Sequence, residues 1–417
     1  MVDAPRRINF DYAAGYPVDP EVLETMLPYF SEKYGNPSSL HTLGGEVRGP
    51  LTQAQTQVGE LIGAESPDKE IFFTSGATES NNLALKGFGF RNQRKGDHII
   101  ISSIEHISTI NIAKYMKRTG FNVTMIPVDK YGVVNLNALE KAITDKTILI
   151  SIMYANNELG TIQPIREAGR IAHEKKITFH VDATVAAGKI PIDVVKDNID
   201  LLTASSNDIY GPKGVGALYV KLGTVIEPIL QGGGQQRGLR SGTENIPGYI
   251  GFGKAADLAK RRMPQDSKYI SALRDKLVKG VLESIEESYL HGHPTNRLPD
   301  LALLRMFGVE GEAILTELDR DGIFVSTGSA CASKTLAPSH VLEAIGLNEI
   351  QRHGAIQFSL SRLNREEDVN QVVSLLPDVV KRLRDISPVW RFKDRFLQMY
   401  SSAEEEEEHV HEGFDQF

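Results

Sequence analysis

The chain has a single cysteine, Cys331, among 417 residues. No internal disulfide is possible, and one thiolate cannot hold an iron–sulfur cluster unaided, since such centres usually take four protein ligands. No apolar run approaches the ~20 residues that span a bilayer, and the N-terminal MVDAPRRINF lacks an apolar signal core. Basic excess is missing too. Lys and Arg number 46 against 54 Asp and Glu, a formal charge of −8, which argues against nucleic acid as the main partner because phosphate binding wants a basic surface. No internal repeat is apparent. These absences leave a cytoplasmic protein with neither membrane nor nucleic acid as its partner. What is present is an ordinary globular composition, 41% hydrophobic and 24% charged, in a chain long enough for two domains.

Order along the chain is legible in its periodicity. Asp19-Pro20 reads as a helix entry, with Asp as N-cap and Pro in the first turn, and a helix from Glu21 to about Lys33 stops before Gly35-Asn36-Pro37. Apolar, β-rich runs follow at 71–74, 98–102, 123–128, 148–153, 177–182, 199–204 and 215–220. Helix-period stretches at 79–92, 107–118 and 164–175 lie between several of them. That alternation predicts a mostly parallel sheet with helices on both faces, and a ligand site at the carboxyl ends of its strands. After Gly242 the pattern becomes helical, at about 246–262 and 268–286. A β-like passage, a Ser/Gly/Ala-rich loop at 326–333 and further helix to about Leu397 come next. The boundary between two domains is expected near Met263-Pro264. The tail from Ser401 carries EEEEE at 404–408 and reads as disordered. His409 and His411 beside it are too few ligands for a specific metal site.

Several short motifs fall at strand ends. Ser75-Gly76-Ala77-Thr78-Glu79 sits between a strand and a helix, where backbone N–H groups and a hydroxyl suit a phosphate; alone it also reads as a plain helix cap. Glu105-His106 follows the run at 98–102, and a lone histidine there is more often structural. Asn156 lies in ANNELG. Asp182 closes the run at 177–182 and could equally be an N-cap. Ser205, Asn207 and Asp208 lie in TASSNDIYGPKG, and Arg240-Ser241-Gly242-Thr243 forms a further small polar loop. Cys331 lies in STGSACASK at 326–334. Its small polar flanks suit an exposed loop, whereas a lone cysteine is usually a buried one.

Taken together, residues 8–390 resemble the cysteine desulfurases of the IscS/NifS type, pyridoxal-phosphate (PLP) enzymes of the class V aminotransferase family. The resemblance implies an α/β chain of PLP-dependent transferase fold type I, with a large, mostly parallel sheet domain at 16–263 and a smaller α/β domain from 1–15 and 264–400, followed by the acidic tail 401–417. It implies cofactor-binding roles for Ala77 and Thr78 at the phosphate, His106 stacked on the ring, Asn156 at the phenolic oxygen and Asp182 at the pyridine nitrogen. Ser205 and Asn207 would serve the phosphate, and Thr243 would reach the phosphate of a neighbouring subunit, which implies a homodimer. Cys331 would carry sulfur as a persulfide.

Four positions depart from that pattern. Asp208 stands where the family has its Schiff-base lysine, and a carboxylate cannot form an imine. Asn207 replaces a histidine and cannot be cationic. Val185 replaces a glutamine that bonds the phenolic oxygen. Gln357 replaces the arginine that clamps the substrate carboxylate, removing a charge-assisted bidentate pair. Lys213 accompanies the catalytic lysine in the family and is not a relocated one; Lys334 belongs to the loop of Cys331. The sequence therefore predicts an iron–sulfur assembly protein of this family with impaired PLP reaction, its PLP held non-covalently or absent. Cys331 would act as persulfide carrier or as ligand of a [2Fe-2S] cluster shared with a scaffold protein. An active PLP-dependent desulfurase, forming alanine and an enzyme persulfide from cysteine, and a non-catalytic dimeric partner are the alternatives.

Overall fold

A computed structural model describes residues 7–327 and 339–395. Cys331, the neighbouring Lys334 and the acidic tail lie outside the described residues. Twelve described strands, numbered in chain order, fall into three sheets. The largest contains β2 (Ile71–Thr74), β3 (His98–Ser102), β4 (Asn122–Ile126), β5 (Thr147–Ser151), β6 (Thr178–Asp182), β7 (Leu201–Ser205) and β8 (Gly216–Val220), in the order β2-β8-β7-β6-β5-β3-β4. The neighbours from β4 to β7 pair in parallel; only β8 runs antiparallel to both β7 and β2. β2, β3, β5, β7 and β8 are buried at every position. A parallel sheet covered on both faces demands this, and their apolar residues are accordingly nearly continuous.

Helices Ala77–Asn82, Ile107–Arg118 and Ile165–Glu174 follow β2, β3 and β5. The first runs on through a π-helical turn, Leu83–Gly87, into Phe88–Asn92. Separate apolar clusters lie on the sheet's faces, one built around Phe73, Ile150 and Phe179, the other around Ile99, Ile101 and Leu149.

A third apolar cluster gathers Phe10, Leu304, Ile356, Phe358 and Leu376. It packs the antiparallel sheet β12-β10-β9, made of β9 (Ser288–His291), β10 (Leu301–Met306) and β12 (Ala355–Ser359), against helices Gly311–Arg320 and Glu366–Ile386. The N-terminus enters this cluster through Ile8 and Phe10, and β1 (Ile8–Asn9) pairs in parallel with β11 (Ile323–Phe324).

Two helical expectations need correction. The helix opening at Asp19-Pro20 ends at Met26, and a short second one, Pro28–Ser31, begins at once. Pro28 has no N–H for the ladder and starts a helix better than it continues one. In contrast, the two patterns either side of Met263-Pro264 are one continuous helix, Ile246–Ser284. Pro264 removes one ladder bond, yet residues on both sides, Leu258 and Ile270 among them, keep a buried face.

Candidate active site

The carboxyl ends of β2, β3, β5, β6 and β7 open onto one cavity of about 350 Å3. Each strand hands over to a turn that carries polar groups. After β2, Gly76 takes φ +148° and offers no side-chain cap to the helix it starts. The first-turn amides of Ala77 and Thr78 are therefore left for a ligand. Glu79 reaches back to accept from the Ser75 amide and pairs with Arg240 at 3.0 Å. After β3, the His106 ring lies on the cavity wall, its Nδ1 on the Ser108 hydroxyl (2.8 Å) and amide (3.2 Å). At the end of β6, Asp182 is held by three donors: Asn81 Nδ2 at 2.7 Å, and the Thr184 amide and hydroxyl at 3.0 and 2.5 Å. Two residues earlier on the same strand, His180 is fully buried between Ser151 and Thr203, and burial pushes its pKa down to about 4. It is a structural histidine.

After β7 the chain makes a tight 3-10 turn, Asn207–Ile209. Gly211 is required here, because a Cβ would stand 2.1 Å from Ser206 Oγ. This turn places Ser205, Asn207 and Asp208 on the cavity wall. Asp208 is 8% exposed. Burial pushes its pKa up to about 6; the Lys189 charge and a hydrogen bond from Ser205 pull against that, and the charges of Asp182 and Asp300 add to it. Asp208 also borders a second, narrow cavity of about 30 Å3 with Tyr16, Lys189 and Asp300. There Lys189 Nζ pairs with Asp300 at 2.5 Å, and Tyr16 donates to the same carboxylate oxygen at 3.0 Å.

Of the residues expected at the site, Ala77, Thr78, His106, Asp182, Ser205 and Asn207 meet at this cavity, as do the divergent Asp208, Val185 and Gln357. Asn156 does not line it. Its side chain is fully buried, with Nδ2 on the Ile104 carbonyl and Oδ1 accepting from the Glu158 and Leu159 amides; the neighbouring Asn157 is the residue on the wall. Thr243 is exposed on the surface, away from this wall. Gln357 Nε2 donates to the Asn157 and Glu158 carbonyls, at 2.6 and 3.3 Å, so its amide ties down that loop. The stems of the Cys331 loop stand beside the cavity. Ser326 lines it and exchanges backbone hydrogen bonds with Gln357, and Ser339 donates to Glu158 at 2.6 Å. His340, next in the chain, sits on the Glu105 carbonyl at 2.9 Å.

Sequence reasoning missed Asn81, Lys189 and Asp300, whose partners lie 101 and 111 positions away along the chain. It also gave Glu105 no role. That carboxyl joins the ends of β3 and β5, accepting from Ser102 Oγ at 2.6 Å and from the Met153 amide at 2.7 Å. Only the Ser102–Glu105 pair, three residues apart, has a local signal; the other contacts join distant segments.

The donor set suits a phosphorylated, nitrogen-bearing aromatic ring. Free amides and the Thr78 hydroxyl stand at one end, and Asp182 can hold a protonated ring nitrogen. Asn207 Oδ1 is buried without a partner, and half a turn of that amide would present Nδ2 to a phosphate oxygen. Among the described residues the wall carries no amine free to bond an aldehyde: Lys189, close by, is paired with Asp300, and Lys213 Nζ donates to the Tyr16 carbonyl at 2.8 Å.

Comparison with known proteins agrees with this geometry. Residues 8–372 match the aminotransferase class-V family. The chain is similar to the cysteine desulfurase IscS 1 of Archaeoglobus fulgidus, 52% identical over 92% of this chain and 99% of that protein. It is similar also to the cysteine desulfurase IscS of Methanosarcina thermophila, 48% identical over 92% and 94%. Among solved structures, a NifS-like protein superposes with a TM-score of 0.85 at 37% identity, covering 91% of this chain and all of that one. The chain thus belongs to the class V aminotransferase family, in its cysteine desulfurase group of the IscS/NifS type.

Proposed function

We propose that this protein works in iron–sulfur cluster assembly with Cys331 as its active residue, and that Asp208 has ended covalent PLP chemistry. The observation that carries the reading is the position of Asp208. It stands on the wall of the strand-end cavity, next to Ser205, where the family resemblance implies the Schiff-base lysine. No described lysine on the walls of either cavity is unengaged. The anchored stems at Ser326 and Ser339 would let the Cys331 loop work at the mouth of the site or present its thiolate to a partner.

If PLP binds, the amides of Ala77 and Thr78, the Thr78 hydroxyl, Ser205 and Asn207 hold its phosphate, Asp182 holds the ring nitrogen, and His106 covers the ring. Bound PLP supplies an electron sink. Val185 and Gln357 offer neither a donor to the phenolic oxygen nor a cation for a substrate carboxylate, so binding without full turnover is expected. Cys331 then serves as a persulfide carrier supplied from elsewhere, or completes the ligand set of a [2Fe-2S] cluster held with a scaffold protein, a role that suits a soft thiolate. The protein acts as a homodimer in the cytoplasm, with Thr243 facing the neighbouring subunit's site.

The test is anaerobic co-purification with a scaffold protein. Wild type retains cluster and Cys331→Ala loses most of it; equal occupancy in both would sink the ligand role. The names of the curated relatives support a second reading, an active desulfurase that has rebuilt its lysine elsewhere. Covalent trapping of PLP separates the two.

A further inference from the structure

The geometry points to a cavity that selects the amine form of the B6 phosphates, pyridoxamine 5′-phosphate, over the aldehyde form, by pairing its 4′-ammonium with the Asp208 carboxylate. This rests on the reading that Asp208 has ended covalent attachment.

The charge of the wall is the first reason. Its described residues include four carboxylates, Asp11, Glu79, Asp182 and Asp208, with His106 and no lysine or arginine. Glu79 has Arg240, and Asp182 has its three neutral donors. Asp208 has a single donor, Ser205, and a cation, Lys189, that is already bonded to Asp300. A buried carboxylate with so little compensation is costly, and an arriving cation offsets that cost.

The chemistry of the two ligand forms is the second. They share the phosphate and the ring nitrogen, so the amides of Ala77 and Thr78 and the carboxylate of Asp182 serve both equally. They differ only at the 4′ carbon. An aldehyde oxygen is an acceptor, and set against a carboxylate it gives two acceptors with no proton between them. An aliphatic ammonium, protonated at neutral pH, offers three donors and a positive charge. The shift at Asp208 is consistent with this, since burial holds the empty carboxylate up at about 6 and a bound ammonium would favour its ionised form.

Calorimetric titration of the dialysed full-length protein tests the proposal with three probes: pyridoxamine 5′-phosphate, PLP and pyridoxine 5′-phosphate. The last is the neutral hydroxymethyl isostere of the amine. The amine form is expected to bind about ten-fold or more tighter than pyridoxine 5′-phosphate, the value of a charge-assisted bond, and tighter than PLP. Asp208→Asn, nearly isosteric and neutral, is expected to erase that preference while keeping the affinity for pyridoxine 5′-phosphate. An amine form no tighter than its isostere on the wild type, binding of none of the three, or a preference that survives in Asp208→Asn would overturn it. The wild-type comparison needs no variant to fold. Failure of the underlying reading has a different signature: borohydride would fix PLP stoichiometrically to one lysine of the wild type.

Discussion

Glu105 is fully buried, and burial pushes its pKa up to about 8. Hydrogen bonds from Ser102 and the Met153 amide oppose that rise, and the Asp182 charge adds to it. A carboxyl whose folded pKa lies above its unfolded value favours the fold below the unfolded value, about 4.5, and loses that contribution as pH climbs toward 8. Across this window the folded state holds the extra proton, so stability falls with rising pH. Glu105→Gln keeps an acceptor for both donors and removes the titration. Urea unfolding at pH 5 and pH 8 should show a fall in stability smaller for the variant than for wild type by roughly 1–3 kcal/mol. Equal falls would mean that Glu105 does not titrate in this range. Glu158, raised by burial to about 7, leaves a remaining slope in both proteins. At this scale the sequence showed which residue types meet at the cavity but not how they are held. Asp182 reads as a helix cap from its neighbours, and only folding reveals Asn81 as its clamp. Asn156 reads as a cavity residue from its motif, whereas its amide is engaged inside its own loop.

At the scale of elements, the turns are legible wherever their chemistry is local. The Asp19 cap is an example: its side chain accepts from the Glu21 amide at 2.9 Å. The structure adds what the sequence could not show, because the same carboxylate also accepts from Arg262 at 2.8 Å, on the long helix, and from Arg362 at 2.6 Å. Asp19 therefore ties three segments together. Asp19→Ala should cost about 2–4 kcal/mol, the sum of a lost cap and weakened charge-assisted bonds. Asp19→Asn, which keeps a capping oxygen and loses the charge, should cost less. Urea midpoints at unchanged m-value measure both; a negligible loss in Asp19→Ala would contradict the tie. Helix continuity was harder to read. Proline breaks the helix at Pro28 and not at Pro264, and only the packing on either side decides which outcome holds.

For the whole molecule, seven apolar runs foretold the strands of the large sheet, since strands covered on both faces need continuous apolar sequence; the edge strand β4 is the one that is largely not buried. Their spatial order was not legible. β2 lies beside β8, from the far end of that stretch of chain, and this pairing makes β2 the edge strand that leads into the turn carrying Ala77 and Thr78. Nor could composition place residues 8–10 in the apolar cluster with Phe358; nothing in a short N-terminal strand says which later segment it will join. We propose that this cluster and the two flanking the large sheet mark the small and large domains, bridged by the helix Ile246–Ser284. Within that frame the described residues of the strand-end cavity include groups suited to a phosphate and a ring nitrogen but no lysine. The most direct measurement is the intact mass of the purified protein after PLP and borohydride, with peptide mapping. The account predicts no adduct, or scattered substoichiometric labelling of surface lysines. A stoichiometric adduct on one lysine would contradict it and show that the Schiff base has been rebuilt.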